Sequence, residues 1–174
     1  MNTNYIPDSE LIINSDGSIF HIHLRPEQLT DNIIVCGDPG RVNMIASYFD
    51  TQDFEVSSRE FHTIGGTYKG KPIMALSHGI GPDNIDIVMT ELDALANIDF
   101  ETRMPRKEHR TLNIVRIGTS GGLQPYVPVG TAVIADKALA GGDKGIGIDE
   151  SAGGGVVISA LEVIEPGFGV VGVA

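Results

Sequence analysis

Two glycine-rich segments of this sequence each place an arginine where it could meet an anion. The first is Gly37-Asp38-Pro39-Gly40-Arg41, set between a short apolar run and the start of a helical pattern. Glycines let the backbone approach a ligand, unpaired N–H groups point outward, and a helix N-terminus adds partial positive charge. Arg41 supplies a full charge on a planar fork that can hold phosphate bidentately. The same five residues also fit an ordinary strand-to-helix turn in which Asp and Pro start the helix, and by themselves they do not choose. They match neither GxxxxGK[ST] nor GxGxxG, which weakens the nucleoside triphosphate and dinucleotide readings. The second segment is Arg116-Ile117-Gly118-Thr119-Ser120-Gly121-Gly122, where an arginine lies near the end of an apolar strand. Left unpaired there it would cost several kcal/mol, so it requires an anionic partner. An Asp or Glu, of which the chain holds 23, would serve in a structural ion pair. Together the two loops favour an oxyanion site, because ligands of open parallel sheets bind outside the carboxyl ends of the strands.

Two further groups carry less on their own. Ser58-Arg59-Glu60-Phe61 reads as a solvated charge pair within a strand. His21 and His23 alternate with apolar residues in Ile19–Leu24, as in a strand, where a histidine is more often structural than catalytic.

The elements that must position these residues emerge from periodicity. Asn32–Cys36 is an apolar, β-branched run and predicts a buried strand. Val42, Met44, Ile45, Tyr48 and Phe49 have helical spacing after Arg41. Glu55–Thr67 and Lys71–Ser77 read as strands joined by a turn at Tyr68-Lys69-Gly70. After the turn-like Gly79-Ile80-Gly81-Pro82, residues 84–97 put Ile85, Val88, Met89, Leu92 and Leu95 on one helical face. Thr102–Arg110 is a polar connector, and Leu112–Ile117 a strand running into the Gly118–Gly122 loop. Thr131–Ala135 predicts another strand, with Val156–Ile164 (strand or short helix) and Val170–Val173 beyond it. Strands alternating with helices imply an α/β fold with a largely parallel, buried sheet.

Composition bounds the function. The 174 residues suit one globular domain, and 41% hydrophobic content can build its core. No run approaches the length of a membrane-spanning helix, the N-terminus lacks a signal-peptide layout, and Cys36 alone cannot make an internal disulfide, which predicts a cytoplasmic protein. A net charge of −11 argues against nucleic acid or an anionic membrane as partner.

In order and spacing, these motifs resemble the nucleoside phosphorylase family, uridine phosphorylases above all. Ile19–Leu24 (IFHIHL) is similar to the family's opening "VFHL" strand. Then come Gly37–Arg41 (GDPGR), Arg59–Phe61 (REF), Gly79-Ile80-Gly81-Pro82, and Arg116–Gly122 (RIGTSGG) with Gln124-Pro125 and Val129-Gly130. The opening segment SELIINSDGSIF resembles longer bacterial members, so the resemblance runs from about Ser9 to Lys137.

The resemblance implies a nucleoside phosphorylase-like central mixed or parallel sheet flanked by helices, here incomplete. It implies that Gly37, Arg41, Arg116 and Thr119 hold phosphate, with Arg41, Arg116 and Thr119 serving catalysis and Thr119 also touching ribose. Arg59 would join the phosphate site, and His21 the ribose site, from a neighbouring subunit. Glu60 and Ile80 match positions that help some relatives hold a monovalent cation, a role not assigned to them here. The implied reaction is phosphorolysis of a pyrimidine nucleoside to free base and ribose 1-phosphate. Phosphate is a co-substrate, no cofactor or metal is required, and the assembly is a homodimer or a dimer-based hexamer.

From about Ala138 the composition shifts: the remaining stretch holds ten glycines, no arginine and no histidine. The pyrimidine-reading Gln and Arg of the family, and its ribose-binding Met and Glu, have no match after Lys137. The sequence thus divides into a phosphate-binding portion, 1–137, and a glycine-rich tail, 138–174, that is no separate domain. This favours a truncated or frame-disrupted relative, or an engineered fragment with a replacement tail. Two alternatives stay open: a purine nucleoside phosphorylase, since Ser77–Gly81 resembles the "GHGMG" stretch of that branch, and a non-catalytic phosphate-binding fragment.

Overall fold

The computed structural model describes residues 5–121 and 125–134, and the backbone of residues 157–165. Its first strand, β1 (Asn32–Cys36), is the apolar run expected from the sequence. Asp38 then ends the strand and starts α1 (Pro39–Ala46): its carboxylate accepts from the Gly40 N–H, and Pro39 brings a preset φ to the first turn. Val42 and Ala46 are buried, and Ile45 and Phe49 pack beside them. Met44 and Tyr48, expected on that face, point outward instead.

The segment read as one strand over Glu55–Thr67 is two strands, β2 (Thr51–Ser58) and β3 (Phe61–Tyr68). Ser58 pairs with Phe61, so Arg59 and Glu60 alone reverse the chain. Arg59 takes a left-handed backbone, φ 56°, which costs a non-glycine residue about 1 kcal/mol. Neither Gly nor Asn marks this turn, so periodicity passes straight through it. The next turn is conventional: Lys69 and Gly70, both at positive φ, lead into β4 (Lys71–Ser77).

Helix α2 (Pro82–Asn97) comes next, with Val88, Leu92 and Leu95 buried. Two short strands pair next, β5 (Ile98–Asp99) ahead of the expected Thr102–Arg110 connector and β6 (Met104–Pro105) inside it. Strand β7 (Asn113–Gly121) runs on through Gly118, Thr119 and Ser120, which read as a loop from sequence. β8 is Ala132–Ile134, and β9, Val157–Glu165, settles the strand-or-helix alternative for the tail as strand. Gly122, Gln124, and the stretches 135–156 and 170–173 lie outside the described residues. Ile19–Leu24 is no strand: Ile19 makes one bridge to Ile13, and its N–H donates to the Leu24 carbonyl to close a turn. His23, at φ 55°, bends the chain there.

The sheet order is β2-β3-β4-β1-β7-β9-β8. β4, β1, β7 and β9 run parallel, while β2, β3 and β8 run antiparallel to their neighbours. Alternation along β1 and β4 sends Ile33, Val35, Met74 and Leu76 to the face covered by α2, where the main core lies. Cys36 and Ala75 go to the opposite face, under α1. With helices on both sides, β1 and β4 bury residues on both faces (Val35 and Cys36, Ala75 and Leu76), as their continuous apolar runs require, whereas Val115 of β7 is 39% exposed.

Candidate functional site

β4 and β1 end side by side next to β7, which runs on past them to Gly121. β1 registers Cys36 against Ser77 of β4 and Ile117 of β7. Three segments therefore converge at these ends: Gly37–Arg41 after β1, His78–Gly81 after β4, and the Gly118-Thr119 stretch of β7 itself. A cleft of about 860 Å³ opens there, and Gly37, Arg41, Arg116 and Thr119 all line it. Four of the six residues singled out from sequence thus share one wall. Asp38, Glu60, His78, Ile80, Asn84 and Ile85 also line it.

Close backbone approach makes this convergence possible. Gly79, at φ +70°, brings its Cα so near the β2–β3 turn that a Cβ would meet Glu60 Cγ at 2.8 Å and Asn84 Nδ2 at 2.9 Å. Next to it, Ile80 is 94% exposed. The His78 N–H donates to the Cys36 carbonyl (2.9 Å), extending the β4–β1 ladder by one step. Arg116 and Gly118 share a face of β7, two residues apart, and the guanidinium lies over the glycine. The Nε–H of Arg116 donates to Nε2 of His78 at 3.3 Å.

The cleft lining sets two arginines, Arg41 and Arg116, beside two carboxylates, Asp38 and Glu60. Burial, and then the adjoining Arg116, hold His78 below the ordinary histidine range, so the ring is neutral and can accept from Arg116. Burial pushes the Cys36 thiol up to about 11 against the opposing pull of Arg41 and Arg116. Cys36 is therefore a thiol that packs beneath the site.

His62 supports the Gly37–Arg41 loop from β3. Its Nδ1 lies 3.2 Å from the Pro39 carbonyl and its Nε2 2.8 Å from a Glu55 carboxylate oxygen. Both partners are hydrogen-bond acceptors.

Arg59 and His21 do not line the cleft of their own chain. They meet elsewhere: the Arg59 guanidinium sits 6.0 Å from the Phe20 ring centre, and the Phe20 ring packs edge-on against His21 at 4.7 Å. His21 is fixed by a residue that the motifs did not single out. Glu91, in α2, accepts from the backbone N–H groups of His21 and Ile22 and lies 2.7 Å from His21 Nδ1. The signal for Glu91 was present: a carboxylate three residues after Val88 and one before Leu92 sits on the apolar stripe of its helix. His78 was missed for another reason. It ends a strand and precedes a glycine turn, as Cys36 does, but its partner Arg116 is two strands away in space and 38 residues away in sequence.

The sequence pattern of the Phosphorylase superfamily matches residues 31–164, a span that takes in β1 through most of β9. The uridine phosphorylase of Haemophilus influenzae is 35% identical over 123 residues, covering 70% of this chain and 43% of that protein. A DeoD-type purine nucleoside phosphorylase of Roseobacter denitrificans is 30% identical over 119 residues, 68% of this chain and 45% of the relative. The crystal structure of a Trypanosoma brucei nucleoside phosphorylase with uridine phosphorylase activity superposes with a TM-score of 0.67 at 34% identity, over 72% of this chain and 43% of the other. The chain thus spans under half the length of these relatives. Strand-end cleft, motif order and family match converge, and the chain belongs to the phosphorylase superfamily.

Proposed function

We propose that this chain provides the phosphate-holding part of a nucleoside phosphorylase acting on a pyrimidine nucleoside. The observation that carries the reading is the meeting of Arg41, Arg116, Gly37 and Thr119 in one cleft at the end of β1, beside the stretch of β7 that runs past it. In the proposed reaction a phosphate oxygen attacks C1′ of the nucleoside from the face opposite the base. The C1′–N bond breaks, its electron pair leaves with the base, which takes a proton, and ribose 1-phosphate remains. The transition state resembles an oxocarbenium ion, so the protein's task is to position phosphate and set its negative charge beside the developing positive one. Arg41 and Arg116 would clamp the oxyanion, and Thr119 would bridge phosphate and ribose. Inorganic phosphate is the co-substrate.

Arg59 and His21 would act on the site of a neighbouring subunit. Their grouping around Phe20, apart from their own cleft, supports that reading. It predicts a homodimer, or dimers built into a hexamer, with no activity from a monomer.

A second reading is a phosphate-binding subunit without turnover, favoured by the chain's spanning under half of its relatives. Phosphate-dependent release of uracil from uridine, with inosine assayed in parallel, separates the possibilities. Uracil release supports the pyrimidine enzyme, and hypoxanthine release alone would reassign the chain to purines. No turnover from a folded oligomer that phosphate still protects against heating would leave the binding reading and remove the enzymatic one.

A further inference from the structure

The His78 ring is withdrawn from solvent, its residue being 3% exposed, and its two nitrogens are unequally served. Nε2 accepts the Nε–H of Arg116 at 3.3 Å. A neutral ring that accepts at Nε2 carries its proton on Nδ1, and Nδ1 has no hydrogen-bond partner among the described residues. A buried donor without a partner is costly, and such groups in a cleft wall call for a ligand or a water. The ring also borders the anion loop: a Cβ on Gly37 would lie 3.9 Å from His78 Cε1.

We propose that His78 is a positioning residue of the anion site: its neutral ring holds the Arg116 guanidinium across Gly118 through Nε, so that oxyanion capture falls to the Nη groups. This inference rests on the reading of the cleft as a phosphate site and extends it to a residue outside the glycine–arginine motifs. It makes anion binding sensitive to acid. A proton on Nε2 removes the acceptor and sets two cations side by side. The low solvation of the ring and the nearness of Arg116 both resist that proton, so the switch operates below the ordinary histidine range. The other charged groups lining the cleft are Arg41 from α1, Asp38 before it, and Glu60 from the β2–β3 turn. The Cys36 thiol lies beneath, neutral throughout the range concerned. His62, against the Pro39 carbonyl, is the other imidazole that touches the anion loop.

The test uses the full chain and sulfate, whose charge does not change between about pH 5 and pH 8, so that the ligand contributes no titration of its own. Sulfate affinity is measured by calorimetry and thermal protection for the wild type, H78Q and H78L. Expected for the wild type is an affinity that falls towards acid. H78Q keeps an oxygen to accept the Arg116 Nε–H, so it should retain near-wild-type affinity at neutral pH and lose the acid decline. H78L should bind about tenfold more weakly at neutral pH, the loss of one charge-assisted hydrogen bond. Should H78L not fold, the pH profile of H78Q decides alone. An unchanged acid decline in H78Q would overturn the inference, since the group responsible would then not be residue 78. Equal losses in H78Q and H78L would overturn it as well, since the acceptor would then not matter. A wild type that binds neither sulfate nor phosphate at any pH sinks the phosphate-site reading itself, a failure distinct from these two.

Discussion

A side chain at residue 118 would need the space that the Arg116 guanidinium occupies: a Cβ on Gly118 would stand 3.1 Å from Arg116 Cζ. The glycine is an empty seat for an arginine two residues earlier on the same strand face. Gly118→Ala should therefore move the guanidinium while leaving the strand ladder intact, since the group displaced is the far end of a flexible side chain. Phosphate affinity should fall by about tenfold or more, with the urea midpoint nearly unchanged. Full phosphate protection in this variant would mean that Arg116 does not serve the anion from this position.

Arg41 tests the other side of the clamp. Arg41→Ala should abolish the rise in melting temperature that phosphate gives the wild type, because a ligand stabilises only in proportion to its occupancy. Differential scanning fluorimetry with and without phosphate reads this directly. Protection that persists would place the anion elsewhere.

Glu91 is expected to matter for stability before anything else. Its carboxylate accepts two backbone N–H groups and meets His21 Nδ1, with only 10% of its side chain exposed. Glu91→Ala strands those donors in a buried place and should cost roughly 2–4 kcal/mol, read from urea unfolding. A loss below about 0.5 kcal/mol, the scale of an ordinary surface substitution, would show that the His21-Ile22 turn finds other partners.

Cys36 should be chemically silent in the folded chain. Its thiol is pushed up to about 11 by burial, so at pH 8 almost none is thiolate, and iodoacetamide should label it only after unfolding. The same shift fixes the sign for stability. The folded pKa is raised, so the contribution is present below the thiol's ordinary range near 9.0 and is lost as pH rises towards about 11. Rapid labelling of native protein at pH 8 would contradict this burial.

Short-range patterns along the chain account for the local pieces. β1 and β4 lie where their apolar runs predicted, since strands buried on both faces need unbroken apolar residues. The helix starts at Pro39 and Pro82 are written in local chemistry, as is the Lys69–Gly70 turn. The anion-site candidates Gly37, Arg41, Arg116 and Thr119 emerge from the sequence only through two glycine–arginine segments taken together and the order of the family-like motifs, since each segment alone also fits an ordinary turn or a structural ion pair. Arg59 shows where that legibility stopped: a left-handed arginine gives no turn signal, so the β2–β3 reversal was read as one strand. The Gly118–Ser120 stretch shows it again, for residues read as a loop continue β7 because the neighbouring β9 supplies their hydrogen bonds. That β4, β1 and β7 lie next to one another follows from the folded packing alone, since strand order depends on contacts between segments far apart in the chain. From that order come the meeting of His78 with Arg116, the clamp of Glu91 on His21, and the separation of Arg59 and His21 from the cleft. Hydrophobic period and turn chemistry act over a few residues. His78 and Arg116 are 38 residues apart, His21 and Glu91 are 70 apart, and no local pattern encodes either pairing.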